Sequence, residues 1–391
     1  MIQKHGDWKK EMYYTEKDLV NVAKRENNAK RNYLVVNPLQ GKHVPVSPIT
    51  ALKLFASLAE ELRGKYEGER LLLIGFAETA TAIGAQIAIS LGTPYIQTTR
   101  EVIPQADYLF FSEEHSHATE QKLVKEDMDE AVKNTDRIIF IEDEVTTGKT
   151  ILNIISVMQN VYHNDMKFAV ASILNGMSAK HREAYEEKSI DLHYLVKTDH
   201  SKYGDIAEGF AGNGKYIDCS CGAAIGQAAV LSVAGKVDAR RLVNAVEYDM
   251  ACRNLFEQIY EQFPRTANDR ILVVSTEEFM YPALYVASCM ETLGNEVTYH
   301  ATTRSPIVVS TETEYPLHAR YELRSLYDAE RKTFLYNIGA YDKVLVVTDA
   351  QCPEDKGQTN KAAQCPEDKG LASLIHALSI KNTDITVVRW C

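Results

Sequence analysis

Residues Arg137–Thr150 read RIIFIEDEVTTGKT, and the reading of this stretch decides the fold. Four consecutive apolar residues, Ile138–Ile141, predict a strand buried on both faces, as in the middle of a parallel sheet. Glu142 and Asp143 end that strand. Thr146, Thr147, Gly148, Lys149 and Thr150 then turn into a segment whose apolar residues Ile151, Leu152, Ile154, Ile155, Met158 and Val161 keep helical spacing. A Thr/Gly turn at a helix N-terminus offers unpaired backbone N–H groups, hydroxyls and the positive end of the helix dipole, a combination that suits a phosphate monoester. The two carboxylates before it would repel that phosphate. They make sense as acceptors for neighbouring hydroxyls, as on a sugar, so the two parts together spell ribose 5-phosphate. A nucleotide P-loop, suggested by Gly148-Lys149-Thr150, fails on spacing: the first glycine of GxxxxGK[ST] would fall at position 143, which is Asp. The plain alternative is a strand–turn–helix with incidental acids and a Thr cap.

Outward from this stretch, strands and helices alternate, the pattern of a parallel sheet covered by helices. Leu71–Ile74 precedes a turn and an Ala/Ile-rich helix ending near Gly92; Tyr95–Gln97 leads into Thr98-Thr99-Arg100; Phe168–Leu174 is a further apolar run. A Gly/Ala-rich passage, Cys221–Gly235, closes what reads as the first domain, and residues 236–268 read as a helical connection. The alternation restarts with strands at Ile271–Val274, Val297–His300, Val344–Val347 and Ile385–Val388 and helices at Pro282–Leu293 and Leu371–Ile380. The 391 residues exceed one usual core, so two domains are expected, 1–240 and 241–391. An AQCPEDKG octapeptide at Ala350–Gly357 recurs at Ala363–Gly370; polar and bearing Pro and Gly, it reads as a surface-loop insertion without chemistry.

Composition narrows the function. A net charge of −11 supplies no basic field for nucleic acid or an anionic membrane. The first 32 residues hold eight Lys/Arg against five Asp/Glu but no apolar run, so they read as neither signal nor anchor. The cytoplasm is the expected location. Of seven cysteines, Cys219 and Cys221 form a CxC with no second pair at ligand spacing, which favours reduced thiols over zinc.

The stretch Ile138–Thr150 resembles the PRPP (phosphoribosyl diphosphate) signature of type I phosphoribosyltransferases: four apolar residues, two acids, two variable positions and a TxGxT-like loop. The resemblance implies a parallel-sheet α/β phosphoribosyltransferase core followed by a second Rossmann-like α/β domain. Glu142 and Asp143 would hold the ribose hydroxyls, and Thr146, Thr147, Gly148, Lys149 and Thr150 the 5-phosphate. The first βα turn, with Ala77, Glu78, Thr79 and Ala80, would take pyrophosphate. Mg²⁺ is implied, because a diphosphate facing acids needs a counter-cation; no metal ligands are assigned. The chain is similar to a subgroup found with tellurite-resistance and stress-response gene clusters, in which an orotate phosphoribosyltransferase-like part precedes a domain named for a Thr-Arg-Ser-Pro motif. Thr303, Arg304, Ser305 and Pro306 supply that motif in the second half. Partners are then PRPP and a small-molecule acceptor, and a homodimer is allowed.

Two segments qualify the catalytic reading. Orotate-type enzymes cover the pyrophosphate with a mobile loop bearing Lys and Arg, whereas Glu101–Gln121 has neither. It offers Glu113, Glu114, His115 and His117 instead, with Arg100 just upstream as the cation. His115 or His117 would serve as acid or donor near neutral pH, the alternative being a solvated polar loop. Asn37–Pro48 is a polar island framed by prolines, read as a hood over the acceptor or as a stiff surface loop. Two functions remain: transfer of ribose 5-phosphate to a nitrogenous acceptor, or a PRPP- or nucleotide-sensing regulator without turnover.

The halves also echo each other. A strand, an acid-bearing turn, an Ala-containing helix ending in Leu-Gly, a short strand and Thr-Thr-Arg occur at 71–100 and again at 271–304. Arg100 precedes Asp143 by 43 residues and Arg304 precedes Asp349 by 45. The second domain is therefore expected to be a degenerate copy of the first, with Thr348 replacing the first acid.

Overall fold

The computed structural model describes residues 13–26, 31–111, 121–163, 165–221, 228–350 and 368–391. They divide into two compact units, one of Leu52–His200 with Val237–Met250, the other of Lys17–Ala51, Ser201–Lys236 and Ala251–Cys391. No helix among the described residues is long and apolar enough to cross a membrane.

The first unit is a five-stranded, all-parallel sheet. Its strands are β1 (Leu71–Gly75), β2 (Tyr95–Gln97), β5 (Arg137–Val145), β6 (Lys167–Asn175) and β7 (Asp191–Lys197), in the order β2-β1-β5-β6-β7. Strand β1 runs buried from Leu72 to Gly75, and β5 from Arg137 to Ile141, as their unbroken apolar runs require. Helix α1 (Thr81–Leu91) follows β1; Gly92, left-handed at φ 68°, ends it by donating back to Ala88 and Ile89 carbonyls. Helix α2 (Lys149–Tyr162) follows β5. Between β2 and β5 stands an antiparallel hairpin, β3 (Tyr108–Phe111) and β4 (Gln121–Val124), inside a stretch whose sequence reads only as a polar loop.

The second unit repeats the plan. Strand β8 (Ala229–Val233) is followed by β9 (Arg270–Ser275), helix α3 (Tyr281–Thr292), β10 (Glu296–Ala301), the hairpin β11 (Ala319–Arg324) and β12 (Lys332–Tyr336), then β13 (Lys343–Thr348), helix α4 (Lys369–Ser379) and β14 (Ile385–Trp390). The sheet order is β10-β9-β13-β14-β8, again all parallel. Strands β2-β1-β5-β6 thus correspond to β10-β9-β13-β14, with a hairpin inserted at the same point, which is the coincidence of strand order expected of a degenerate copy. Register extends the match to single residues. Gly75 faces Ile141 as Ser275 faces Val347, so Thr348 stands at the place of Glu142 and Asp349 at that of Asp143.

Two sequence expectations change. Cys221–Gly235 does not close the first unit, because Ala229–Val233 pairs with β14 in the second. Asn37–Pro48 is no surface loop and belongs to the second unit: Lys42, fully buried, donates to the carbonyls of Glu277 and Thr302 at 2.9 Å each. The edges explain both outcomes. Val46 bridges Tyr299 on β10, and Val243 bridges Tyr95 on β2, so each edge strand is completed by chain that precedes the other unit's core.

Gly75 shows how tightly the first turn is built. A Cβ there would meet the Tyr95 hydroxyl at 2.4 Å and the Ala80 carbonyl oxygen at 3.1 Å. Ser275 occupies the same position in the second unit, where its hydroxyl bonds to that of Tyr299 at 2.8 Å. Gly75→Ala should therefore destabilise the protein by about 1–3 kcal/mol, the usual cost of overpacking. Chemical denaturation checks it, and an unchanged midpoint would show that the Tyr95 ring yields.

Candidate functional site

The candidate site lies at the C-terminal ends of β1 and β5, where the sheet's connections diverge: the chain leaves β1 for β2 on one side, and β5 lies on the other. In open α/β sheets, ligands bind at such a point. Three turns meet there.

The turn Phe76–Ala80, which follows β1, is held from two directions. The Ala77 N–H donates to the Thr98 hydroxyl at 2.8 Å, and Gln121 Nε2 donates to the Ala77 carbonyl at 2.7 Å. Thr98 in turn donates to the Gln121 side-chain oxygen. Glu78 and Ala80 are buried, and Thr79 is partly exposed.

The second turn follows β2. Thr98 N–H donates to the Gly75 carbonyl at 2.9 Å, while Thr99 exchanges backbone bonds with Lys122 at 2.9 and 3.1 Å and its hydroxyl accepts from Glu101 N–H at 2.9 Å. One threonine thus ties the strand to the turn and the next ties it to the hairpin, which places Arg100, partly buried, directly after them. His115 and His117 lie outside the described residues.

The third turn follows β5. Successive residues of a strand face opposite sides, so Asp143 is separated from Glu142 and Glu144. Asp143 accepts from the Thr79 hydroxyl at 2.9 Å, which joins the acid of one turn to the floor of the other. Burial, then the adjacent Glu144 charge, push the Asp143 carboxyl up to about 6 against the bond from Thr79. On the other side, the charge of Glu142 adds to burial in raising the Tyr185 hydroxyl, and Glu144 lies 3.4 Å from His200 Nε2. Gly148 is left-handed at φ 70°, and a Cβ there would strike the Tyr185 hydroxyl at 2.3 Å. Tyr185 donates to the Gly148 carbonyl at 2.6 Å, and Lys149 N–H reaches the Thr147 hydroxyl at 3.3 Å. Glycine is thus demanded twice, and α2 opens with Thr146–Thr150 wrapped around its N-terminus.

The structure therefore brings Thr79 and Asp143 together, with Ala77, Glu78 and Ala80 beside them and Thr146–Thr150 after the same strand. Thr303, Arg304 and Ser305 belong to the second unit and have partners there. Thr303 N–H donates to Phe334 at 2.9 Å, Ser305 N–H to the Thr303 hydroxyl at 3.2 Å, and Arg304 Nε to Glu277 at 2.8 Å. Sequence reasoning missed Thr98, Gln121 and Tyr185 as supports. The repeated Thr-Thr-Arg was the available signal for Thr98; the other two come from distant segments and left none. Among the described residues, no three His, Cys, Asp or Glu side chains are grouped to hold a metal.

Residues 19–203 match a family model described as phosphoribosyl transferase, and residues 243–362 one described as TRSP domain C terminus to PRTase_2. No curated protein matches the chain. Similar solved structures include adenine phosphoribosyltransferase from Thermoanaerobacter pseudethanolicus, 13% identical over 46% of this chain and 97% of that one, with a TM-score of 0.35. Another is the Trypanosoma brucei enzyme in complex with AMP, pyrophosphate and ribose-5-phosphate, 14% identical over 46% and 77%, with a TM-score of 0.34. A third, from Giardia lamblia with 9-deazaadenine, is 14% identical over 46% and 95%, with a TM-score of 0.33.

The raised Asp143 carboxyl has a consequence for stability. An unfolded Asp loses its proton near pH 3.9, so between about 4 and 6 the folded chain holds a proton that the unfolded chain has lost. This contribution favours folding below pH 4 and is lost as pH rises through about 6. Asp143→Asn should then melt later than the native protein at pH 8, by on the order of 1 kcal/mol after solvent screening, and equally at pH 4. An offset that does not change with pH would contradict this environment for Asp143.

The matched segments run in order along the chain: residues 19–203 are similar to a phosphoribosyl transferase domain and residues 243–362 to the TRSP domain described as following it.

Proposed function

We propose that the first unit binds PRPP and transfers its ribose 5-phosphate to a nitrogen of a small acceptor, releasing pyrophosphate. The observation that carries this is the Thr79–Asp143 bond of 2.9 Å, which sets a strand-end acid against the turn of the neighbouring strand. That adjacency suits a ligand with ribose hydroxyls next to a diphosphate. In this reading ionised Asp143 accepts from a ribose hydroxyl on the Thr79 side of the strand, while Glu142 acts from the Tyr185 side. The turn around Gly148 receives the 5-phosphate on backbone N–H groups and threonine hydroxyls, and the Ala77–Ala80 turn receives the diphosphate.

The donors present fit Mg²⁺ in one way. That ion accepts one or two carboxylates with ligand oxygens completing its shell, and Asp143, on the Thr79 side, offers one such carboxylate where no three-acid group is found among the described residues. Bound there, it would neutralise diphosphate charge. The chain's own residues do the rest by positioning. Bond breaking at the anomeric carbon develops positive charge on the sugar, so a fixed carboxylate and a held leaving group lower the barrier. Arg100, directly after the threonines that anchor the diphosphate turn, would be the cation for the leaving group.

The second reading, a PRPP sensor without turnover, draws on one observation. The hairpin's first described cation, Lys122, is buried, and its ammonium lies 4.4 Å from the centre of the Tyr108 ring.

Pyrophosphate release from PRPP, assayed against a panel of nitrogenous bases, separates the two. Base-dependent release supports transfer; PRPP binding without release favours the sensor, and neither sinks both. Asp143→Asn should weaken PRPP binding by roughly 1.5–3 kcal/mol, the range for hydrogen bonds to a charged group. Native affinity should fall as pH drops through about 6, because only the ionised carboxylate accepts two hydroxyls. Calorimetry that finds equal affinity in variant and native protein would remove Asp143 from the site.

A further inference from the structure

We infer that the second unit is a phosphoribosyltransferase-type core whose diphosphate turn is closed by its own acid, Glu277, leaving Arg304 and Arg331 committed to that carboxylate. The inference rests on the reading of Ala77–Ala80 as a diphosphate turn.

The correspondence is atom by atom. In the first unit Thr98 N–H bonds Gly75, and the Thr98 hydroxyl accepts from Ala77 N–H at 2.8 Å. In the second, Thr302 N–H bonds Ser275 at 3.0 Å, and the Thr302 hydroxyl accepts from Glu277 N–H at 2.9 Å. Thr99 exchanges two backbone bonds with the hairpin residue Lys122, as Thr303 does with Phe334 at 2.9 and 2.7 Å. Tyr95 and Tyr299 each point a hydroxyl at the start of the preceding helix, at the Thr81 and Met280 carbonyls respectively. Glu277 therefore stands where the first unit has Ala77, Glu278 where it has Glu78, and Arg304 where it has Arg100.

The difference lies in one side chain. At the Ala77 position the second unit carries a carboxylate that is 1% exposed. Arg304 Nε and Arg331 Nη1 both reach Glu277 Oε2 at 2.8 Å, and the Ser325 hydroxyl donates to Oε1. Lys42 takes the Glu277 carbonyl, and the backbone at Glu277 is left-handed at φ 48°. Two guanidiniums and a hydroxyl converging on one anion are what a diphosphate or phosphate site offers; here the anion is part of the chain. Glu278 lies 3.8 Å from Arg304 but has its counterpart in Glu78, so it does not distinguish the units. The strand-end acid is engaged as well: Asp349 accepts from Tyr327 at 2.7 Å and pairs with Lys236 at 2.9 Å. The Arg of the Thr-Arg-Ser-Pro motif thus secures a turn.

The test is the stoichiometry of inorganic pyrophosphate on the full chain, by calorimetry, for native protein and Glu277→Ala. The variant should bind one equivalent more than the native chain, whether the native chain binds one or none, so failure of the first-unit reading stays distinguishable. Equal stoichiometry would overturn the inference. Two partly buried guanidiniums without their carboxylate strain folding. If Glu277→Ala folds poorly, pyrophosphate should restore its melting temperature, and Glu277→Gln should show a smaller rise with pyrophosphate. A variant that pyrophosphate does not restore, together with a Gln form that shows no rise, contradicts the proposal.

Discussion

Both units hang on one interaction, repeated: a threonine hydroxyl just past the edge strand accepts the N–H of the turn that follows the neighbouring strand. It occurs as Thr98 with Ala77 and as Thr302 with Glu277. The bond fixes a backbone that belongs to neither helix nor strand, where an unpaired buried N–H would cost about 1–3 kcal/mol. It also fixes where the following side chains go. With Thr98 and Thr99 both committed, the next residue is Arg100; with Thr302 and Thr303 committed, it is Arg304. The two units share this scaffold and differ in what sits at its centre. The first unit has a methyl there, at Ala77, while the second has the Glu277 carboxylate, which supplies an anion from within.

Much of this was legible in the sequence, for identifiable reasons. Ile138–Ile141 and Leu71–Ile74 announce buried parallel strands because nothing polar interrupts them, and Gly148 announces a tight turn because two independent demands exclude a side chain there. The repeated Thr-Thr-Arg and the nearly equal spacing to Asp143 and Asp349 pointed to two copies of one plan, and the strand orders coincide. What stayed hidden was long-range. The hairpin strands Tyr108–Phe111 and Gln121–Val124 are four residues each, too short for periodicity to register. Lys42 and His43 look like a solvated loop, yet both are buried, because Lys42 satisfies carbonyls more than two hundred residues away. The partner of Arg304 was hidden for the same reason, because Glu277 lies 27 residues upstream on another turn.

Alternation along β5 adds a constraint that the linear motif conceals. Asp143 turns toward Thr79 and the diphosphate turn, whereas Glu142 and Glu144 face Tyr185 and His200. The two acids of the motif are neighbours in sequence but stand in different surroundings, and burial beside Glu144 holds Asp143 near the middle of the physiological acid range. An acid so placed costs the fold something when ionised, which ties stability to the charge of one residue.

The central claim is that the chain holds one open PRPP site and one closed copy of it. Calorimetric titration of the native full-length chain with PRPP and Mg²⁺ measures this directly. The account requires a single equivalent per chain; two equivalents would show the second core to be open, and none would show that the first does not receive PRPP.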